Sequence, residues 1–141
     1  MNKIKIIGIS GGGLNIASFL ISNFSDIYEQ KNIEDLNAIL ENDEKVYVIC
    51  TLGGATGEKN LLKIEDSFKN YDEKINFILT TPFIFEGEAR VQKSKELIEF
   101  LKKEFKNISV YSNESLSKLG DMSMKDAYNH LSLQIHKDIV G

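Results

Sequence analysis

Short apolar segments alternate along the chain with longer segments whose apolar residues recur three or four positions apart. The short segments, which are rich in β-branched residues, predict strands at residues 3–9, 26–29, 45–51, 75–80 and 108–111. The longer segments predict amphipathic helices, whose apolar stripes are Ile16, Phe19, Leu20 and Phe24, then Ile33, Leu36 and Leu40, then Leu61, Ile64 and Phe68, then Val91, Ile98, Leu101 and Phe105, and finally Met124, Tyr128, Leu131, Ile135 and Ile139. This alternation predicts a three-layer, Rossmann-like α/β fold, in which a parallel sheet carries helices on both faces.

Length and charge limit the class of protein. The 141 residues are enough for one compact domain, so we expect a single domain over residues 1–141. A net charge of -4 argues against nucleic-acid binding, which needs a basic face. No run approaches the roughly 18 apolar residues of a membrane span, and the first residues lead into a strand without a signal-peptide pattern. We therefore expect a cytoplasmic protein without a membrane or nucleic-acid partner.

Two glycine-rich turns each follow a predicted strand and precede a predicted helix. They consist of Gly11, Gly12 and Gly13, and of Gly53, Gly54, Ala55, Thr56 and Gly57. Backbone N–H groups at a helix N-terminus form a natural anion site. Because the carboxyl ends of parallel strands meet at one edge of a sheet, both turns are expected there, clamping a polyphosphate. The simpler alternative is a pair of tight turns that need glycine only for their backbone conformation.

Two common nucleotide motifs do not fit these turns. A P-loop needs Gly-Lys followed by Ser or Thr, but Glu58 separates Gly57 from Lys59. The dinucleotide fingerprint G-x-G-x-x-G also fails, because Ser10 stands where a second glycine should follow Gly8. Asn15, near the start of the first helix, is expected either to cap that helix or to reach a sugar or base.

The segment after the fourth predicted strand holds the only arginine among the 17 basic residues of the chain. Glu86 and Arg90 share a helix face at i, i+4. The spacing alone favours a surface ion pair worth a few tenths of a kcal/mol. The alternative is a carboxylate that accepts from ribose hydroxyls, with a guanidinium near phosphate or ribose, a role in which lysine is a poor substitute.

Taken in order, these segments resemble the nucleotide-binding domain of FtsZ, the bacterial relative of tubulin. Residues 7–15 resemble the first glycine-rich loop of that family, and residues 53–57 resemble the tubulin signature loop that cradles phosphates. Residues 82–90, Pro-Phe-Ile-Phe-Glu-Gly-Glu-Ala-Arg, are close to the family's Pro-Phe-x-Phe-Glu-Gly-x-x-Arg, where the glutamate and arginine contact nucleotide. Residues 111–116 are similar to a later loop whose asparagine lines the sugar and base pocket, and residues 124–128 resemble the start of the family's central helix. The resemblance covers nearly the whole chain, but only the first domain of the family.

The resemblance implies a nucleotide site made of the two glycine-rich turns with Asn15, Glu86, Arg90 and Asn113. It implies GTP or GDP as the ligand and leaves a role for Mg²⁺ open. Its implied partners are guanine nucleotide and either FtsZ-type filament subunits or further copies of this chain. It assigns no catalytic and no metal-binding residue to these 141 residues.

The glycine-rich turns depart from the family pattern at several positions. Leu14 and Ala55 replace glycines, and Glu58 and Lys59 replace the Thr-Gly that closes the signature. Lys59 is expected either to reach phosphate or to face solvent. The stretch between the two turns is about half as long as in the family, so we expect the loops over the terminal phosphate and metal to be missing. Ser132 and Leu133 stand where the family has the Asn-Asp pair that reads guanine. Leucine cannot accept a hydrogen bond from the base, so base preference stays open.

These departures separate three functional hypotheses. The leading one is an FtsZ-like guanine-nucleotide-binding domain that interacts with a cell-division or cytoskeletal filament. Efficient self-contained GTP hydrolysis is not expected, because the family's second domain, which activates water in the neighbouring subunit, is expected to be absent. The alternatives are an interaction or structural module of the same fold that has lost nucleotide binding, and a small enzyme acting on another phosphorylated metabolite. Against an enzyme, Cys50, His130 and His136 are all expected to be buried, packed or solvated rather than catalytic.

Overall fold

The computed structural model describes residues 3–82, 86–112 and 124–141. In this part of the chain, five strands form one sheet, namely β1 (Ile4–Ile9), β2 (Tyr28–Lys31), β3 (Val46–Thr51), β4 (Ile75–Thr81) and β5 (Ile108–Ser112). The strand order is β2-β1-β3-β4-β5, and every neighbouring pair is parallel. The three inner strands are buried on both faces, which accounts for their nearly continuous apolar sequences.

Helices cover both faces of the sheet. They are α1 (Ser10–Asn23), α2 (Leu36–Glu41), α3 (Ala55–Phe68), α4 (Glu88–Glu104) and α5 (Met124–Val140), with 3₁₀ turns at Ile33–Asp35 and Lys69–Tyr71. On one face, α2, α3 and α4 pack around a core that includes Leu40, Leu61 and Leu101. On the other face, α1 and α5 pack together through Leu20 and Ile135. The predicted three-layer Rossmann-like fold is therefore confirmed.

Two predicted elements differ from the observed ones. The second strand begins at Tyr28 rather than at residue 26, because the chain first makes a turn in which the carbonyl of Phe24 accepts from the N–H groups of Ile27 and Tyr28. The helix expected around Ile33 is split. Its start is a 3₁₀ turn closed by a capping box at Asn32, and the α-helix proper begins at Leu36.

The first glycine-rich segment lies in the first turn of a helix, whereas in the second segment Gly53 and Gly54 precede α3 and residues 55–57 lie in its first turn. Ser10 has φ 63°, and this left-handed conformation turns the chain from β1 directly into α1. Gly11, Gly12 and Gly13 then form the first turn of α1. A Cβ atom at Gly13 would lie 2.3 Å from the carbonyl oxygen of Ile49, so glycine allows α1 to pack directly on β3. The sheet thereby fixes the start of α1.

Within the described residues, none of the helices combines the length and apolar character that crossing a lipid bilayer requires.

Candidate functional site

The starts of α1 and α3 lie side by side at one edge of the sheet. α1 follows β1 directly, and α3 follows β3 after residues 52–54. β1 and β3 are neighbours that pair in parallel, with Ile9, the last residue of β1, opposite Cys50, the penultimate residue of β3. Both helices therefore begin at the carboxyl edge of the sheet, as the parallel-sheet interpretation predicts.

Close contacts tie the two helix starts together. A Cβ atom at Gly12 would lie 2.3 Å from Oγ1 of Thr51, the last residue of β3. A Cβ atom at Gly57, in the first turn of α3, would lie 3.3 Å from Oγ of Ser10 and 3.0 Å from Sγ of Cys50. These glycines are needed so that the helix starts can approach each other, and their position is fixed by the fold.

The first turns of both helices present backbone N–H groups that their own N-caps leave free. Ile9 and Gly54 occupy the N-cap positions, and neither has a side-chain acceptor for a capping hydrogen bond. No acidic residue lies in the first turn of α1. Free N–H groups together with the helix dipoles favour an anion at this edge.

Gly11 and Gly54 differ from the other glycines at this edge. A Cβ atom at either position would meet no atom of the described residues within 4 Å. Gly54 has φ -107°, and Gly11 is not in the left-handed region either, so both backbones suit any residue. Packing against the described residues therefore does not require glycine at 11 or 54, and none of those residues fills the space next to these two glycines.

A cavity of about 470 Å³ lies between α1 and α5, next to the start of α1. Gly12, Asn15 and Ser132 line it together with two residues that the sequence analysis did not single out, Lys125 and Asn129. Asn15 lies in the second turn of α1, so it does not cap the helix, and the capping alternative is wrong. It faces the cavity instead. The pairing of α1 with α5 brings these residues together, and no local signal in the sequence reports that pairing.

Tyr128 also lines this cavity and links it to Glu86. Burial, and secondly the negative charge of Glu86, raise the pKa of the Tyr128 phenol. Glu86 also lies beside the second glycine-rich segment, since a Cβ atom at Gly53 would be 3.5 Å from its Oε1. The cavity and the two helix starts are therefore parts of one continuous region.

Glu86 and Arg90 form an ion pair with 3.8 Å between Oε1 and Nη1. The arginine side chain is 61% exposed, so the pair is the weak surface interaction that the spacing favours. Ala55 and Thr56 are exposed in the first turn of α3. Asn113 lies outside the described residues, and its predicted place in the site stays a prediction.

Glu58 is a buried carboxylate directly behind the start of α3. It is 6% exposed, and within the described structure its Oε1 has no hydrogen-bond partner. Its burial was not predicted, because glutamate is rarely buried without a partner. Lys59, the next residue, is exposed and lines a cavity between α3 and α4 that Ala55 also lines.

Cys50 is buried, His136 is packed and His130 is exposed, as expected from the sequence. Burial raises the pKa of the Cys50 thiol to about 12, an effect that a hydrogen bond with Ser10 opposes and the charge of Glu58 increases. The thiol is therefore inert at neutral pH. His136 stacks on Phe24 beyond the far end of α1, with ring centroids 3.7 Å apart, and His130 is exposed. In the described residues, no group of three or more potential ligands could hold a metal ion.

The fold and the paired helix starts together define the class: a three-layer α/β domain with a candidate anion site where two parallel strands end. No family model matches the chain. In sequence, the chain is 27% identical over 100 residues to cell division protein FtsZ 1 of Methanocaldococcus jannaschii, which covers 70% of this chain and 28% of that protein. It is 26% identical over 184 residues to FtsZ of Aquifex aeolicus, which covers 99% of this chain and 50% of the relative. The chain thus spans no more than about half the length of these relatives.

Solved structures of FtsZ and CetZ proteins share the fold of this chain. An empty FtsZ dimer from M. jannaschii matches with a TM-score of 0.74 at 19% identity, covering 94% of this chain and 51% of that one. CetZ2 from Haloferax volcanii, a GTPγS-bound protofilament, matches with a TM-score of 0.73 at 13% identity, covering 98% and 57%. These matches confirm the predicted resemblance to the N-terminal, GTPase-like domain of the FtsZ/tubulin family.

Proposed function

We propose that this chain is an FtsZ-like domain that binds GDP or GTP, with the phosphates at the starts of α1 and α3. One observation carries the proposal: two adjacent helix starts lack side-chain N-caps, and no described residue fills the space next to Gly11 and Gly54, where packing does not require glycine. A phosphate oxygen needs both the free N–H groups and the absence of a side chain in front of them.

The cavity between α1 and α5 is the place proposed for the ribose and base. Its volume of about 470 Å³ lies within the usual range of ligand pockets, roughly 300–1,000 Å³. The Tyr128 ring and the amides of Asn15 and Asn129 offer an apolar surface and hydrogen-bonding groups. Leu133 does not line this cavity and is 40% exposed, so we assign it no part in base recognition.

We propose that these residues alone do not hydrolyse GTP efficiently. Hydrolysis needs a group that positions or activates water at the terminal phosphate. In the described part of the site, Glu86 is paired with Arg90 and Glu58 is sealed behind the start of α3. Neither carboxylate is placed to activate water. Because the relatives are named cell division proteins and one neighbour is a protofilament, the proposed setting is a cell-division or cytoskeletal filament.

Substituting Gly11 tests the phosphate site without disturbing the fold. A methyl group there contacts no described atom, and alanine is a better helix former than glycine, so G11A should keep or raise the melting temperature. We expect it to weaken GDP binding by about tenfold or more, because the methyl group occupies the space of a phosphate oxygen. The matched control is S18A, on the exposed face of the same helix.

The measurement is isothermal titration calorimetry with GDP, GTP and ADP. Binding by the unmodified chain and the S18A control, together with weaker binding by G11A, supports the proposal. Absence of binding by the unmodified chain at millimolar GDP and GTP would overturn it, and so would an affinity in G11A equal to that of the control.

A second candidate function is an interaction module of the same fold without nucleotide. The burial of Glu58 favours it, because this carboxylate already places a negative charge in the first turn of α3. This candidate predicts no heat with any nucleotide and no binding difference between G11A and S18A. The same titrations therefore distinguish the two functions.

A further inference from the structure

Glu58 is a buried carboxylate in the first turn of α3, one of the two helix starts proposed to hold phosphate. It is 6% exposed, and its Oε1 has no hydrogen-bond partner in the described structure. None of the ion pairs among the described residues involves it. Because the fold holds this side chain in place and no cation pairs with it, its negative charge acts on an anion at the start of α3.

The charges nearest to Glu58 along α3 and α4 do not cancel its own. Three lysines line the cavity between these helices together with Glu58, namely Lys59, Lys63 and Lys93. All three are exposed, so water screens their charges, and within the described residues none forms an ion pair with Glu58. Asp66 and Glu96 line the same cavity and add negative charge. The lysines therefore weaken the field of Glu58 at the start of α3 but do not neutralise it.

The two helix starts lie at different distances from the cavity proposed for the ribose and base. That cavity lies between α1 and α5, and Gly12, in the first turn of α1, is part of its lining. The helices α1 and α5 pack on one face of the sheet, whereas α3 packs on the opposite face. A phosphate chain that leaves the cavity therefore reaches the start of α1 first and the start of α3 last.

We propose that Glu58 makes this site select a nucleoside diphosphate over a triphosphate, a selectivity that rests on the proposed nucleotide binding. The first turn of α1 carries no acid, so the phosphates nearest the ribose meet an uncompensated positive helix end. A third phosphate adds further negative charge at the far end of the chain, where the start of α3 is the place left for it. There the repulsion of Glu58 opposes the attraction of the free N–H groups.

This repulsion is large enough to measure. Glu58 is the fourth residue of α3, so its Cα lies about 5 Å beyond the helix start, and a phosphate oxygen bonded to the first N–H groups lies about 3 Å in front of that start. A further negative charge about 8 Å from Glu58 weakens binding by roughly fivefold once water and salt screen it. We therefore expect Glu58 to shift the ratio of the two dissociation constants about fivefold in favour of the diphosphate.

Isothermal titration calorimetry with GDP and with GTPγS, a triphosphate that is hydrolysed slowly, tests this selectivity. EDTA is present so that no divalent cation neutralises the third phosphate. The unmodified chain should bind GDP more tightly than GTPγS, and E58Q, which keeps the shape of the side chain, should reduce that preference by about fivefold. The matched control is E65Q, the same change further along α3, which should keep the preference within about twofold. Thermal unfolding verifies that each variant is folded.

These titrations separate a failure of the selectivity from a failure of nucleotide binding. A preference for GDP that falls in E58Q and persists in E65Q supports the role of Glu58. Equal or tighter binding of GTPγS by the unmodified chain, an unchanged preference in E58Q, or an equal loss in E65Q would overturn the selectivity and leave the proposed function standing. Absence of binding by either nucleotide would overturn the proposed function, and the selectivity with it.

Discussion

Replacing Glu58 with glutamine removes a buried negative charge from the first turn of α3. The residue is 6% exposed, and no group in the described structure bonds to its Oε1. The carboxylate belongs to one of the two helices whose N-termini we propose to bind phosphate. Because charges of the same sign repel more strongly where water is excluded, E58Q should bind GDP more tightly than the unmodified chain.

The expected gain follows from the geometry of the helix. Glu58 is the fourth residue of α3, which begins at Ala55, so its Cα lies about 5 Å from the helix start at a rise of about 1.5 Å per residue. A phosphate oxygen bonded to the first N–H groups lies about 3 Å further out. Two charges about 8 Å apart repel by about 2 kcal/mol at an effective dielectric constant of 20. Screening by salt and water halves this to about 1 kcal/mol, or roughly fivefold in Kd.

Calorimetric titration of E58Q with GDP measures this gain. The control is E65Q, which makes the same chemical change two helical turns further along α3, where the repulsion is weaker and more screened. The affinity should rise in E58Q and stay within twofold in E65Q, and raising the salt concentration should reduce the difference. Equal affinities in the unmodified chain and E58Q would refute the reasoning, because the carboxylate would then exert no field at the bound phosphate.

Three further predictions concern the packing around the site. G13A should lower the free energy of unfolding by about 1–3 kcal/mol in urea titrations, because its Cβ would lie 2.3 Å from the carbonyl oxygen of Ile49; stability equal to that of the unmodified chain would contradict the close packing. Cys50 should react with a thiol reagent only on unfolding. Because burial raises the pKa of its thiol from 9.0 to about 12, the buried neutral thiol makes its full contribution to the free energy of unfolding below pH 9, and this contribution is lost as the pH rises toward 12. Replacing Cys50 with alanine should remove that part of the alkaline loss. Y28F should cost about 1 kcal/mol by removing the 2.7 Å hydrogen bond between the Tyr28 hydroxyl and His136 Nδ1, and a double-mutant cycle with H136F should report the coupling between them.

The fold was predictable because each part of it leaves a local pattern. Short β-branched runs between amphipathic stripes specify a parallel sheet with helices on both faces, and the stripe residues Leu20, Leu61 and Leu101 are all fully buried. The boundaries were less predictable where one residue changes the path of the chain. Ser10 takes a left-handed conformation, so α1 begins without the loop expected before it. The sequence does not distinguish this arrangement from a separate turn formed by the three glycines that follow Ser10.

The candidate site was predictable only where chain neighbours build it. The two glycine-rich segments follow strands directly, so their convergence follows from the parallel sheet alone. The cavity residues Lys125 and Asn129 were missed because they come from α5, which reaches the site by packing on α1. The burial of Glu58 was also missed, because its first-turn position suggests an ordinary exposed acid that complements the helix dipole. Whether a side chain is buried depends on which other elements pack against its helix, and the local sequence does not show that packing.

The two helix starts are unequal, and this asymmetry bears on how a phosphate chain would sit. The first turn of α1 contains three glycines and no acid, so its positive end is uncompensated. The first turn of α3 carries Glu58, which neutralises part of its dipole. Of the two helices, α1 therefore attracts an anion more strongly. A bound diphosphate should place most of its charge against α1, beside the cavity lined by Asn15 and Tyr128, so that the ribose and base follow directly into that cavity.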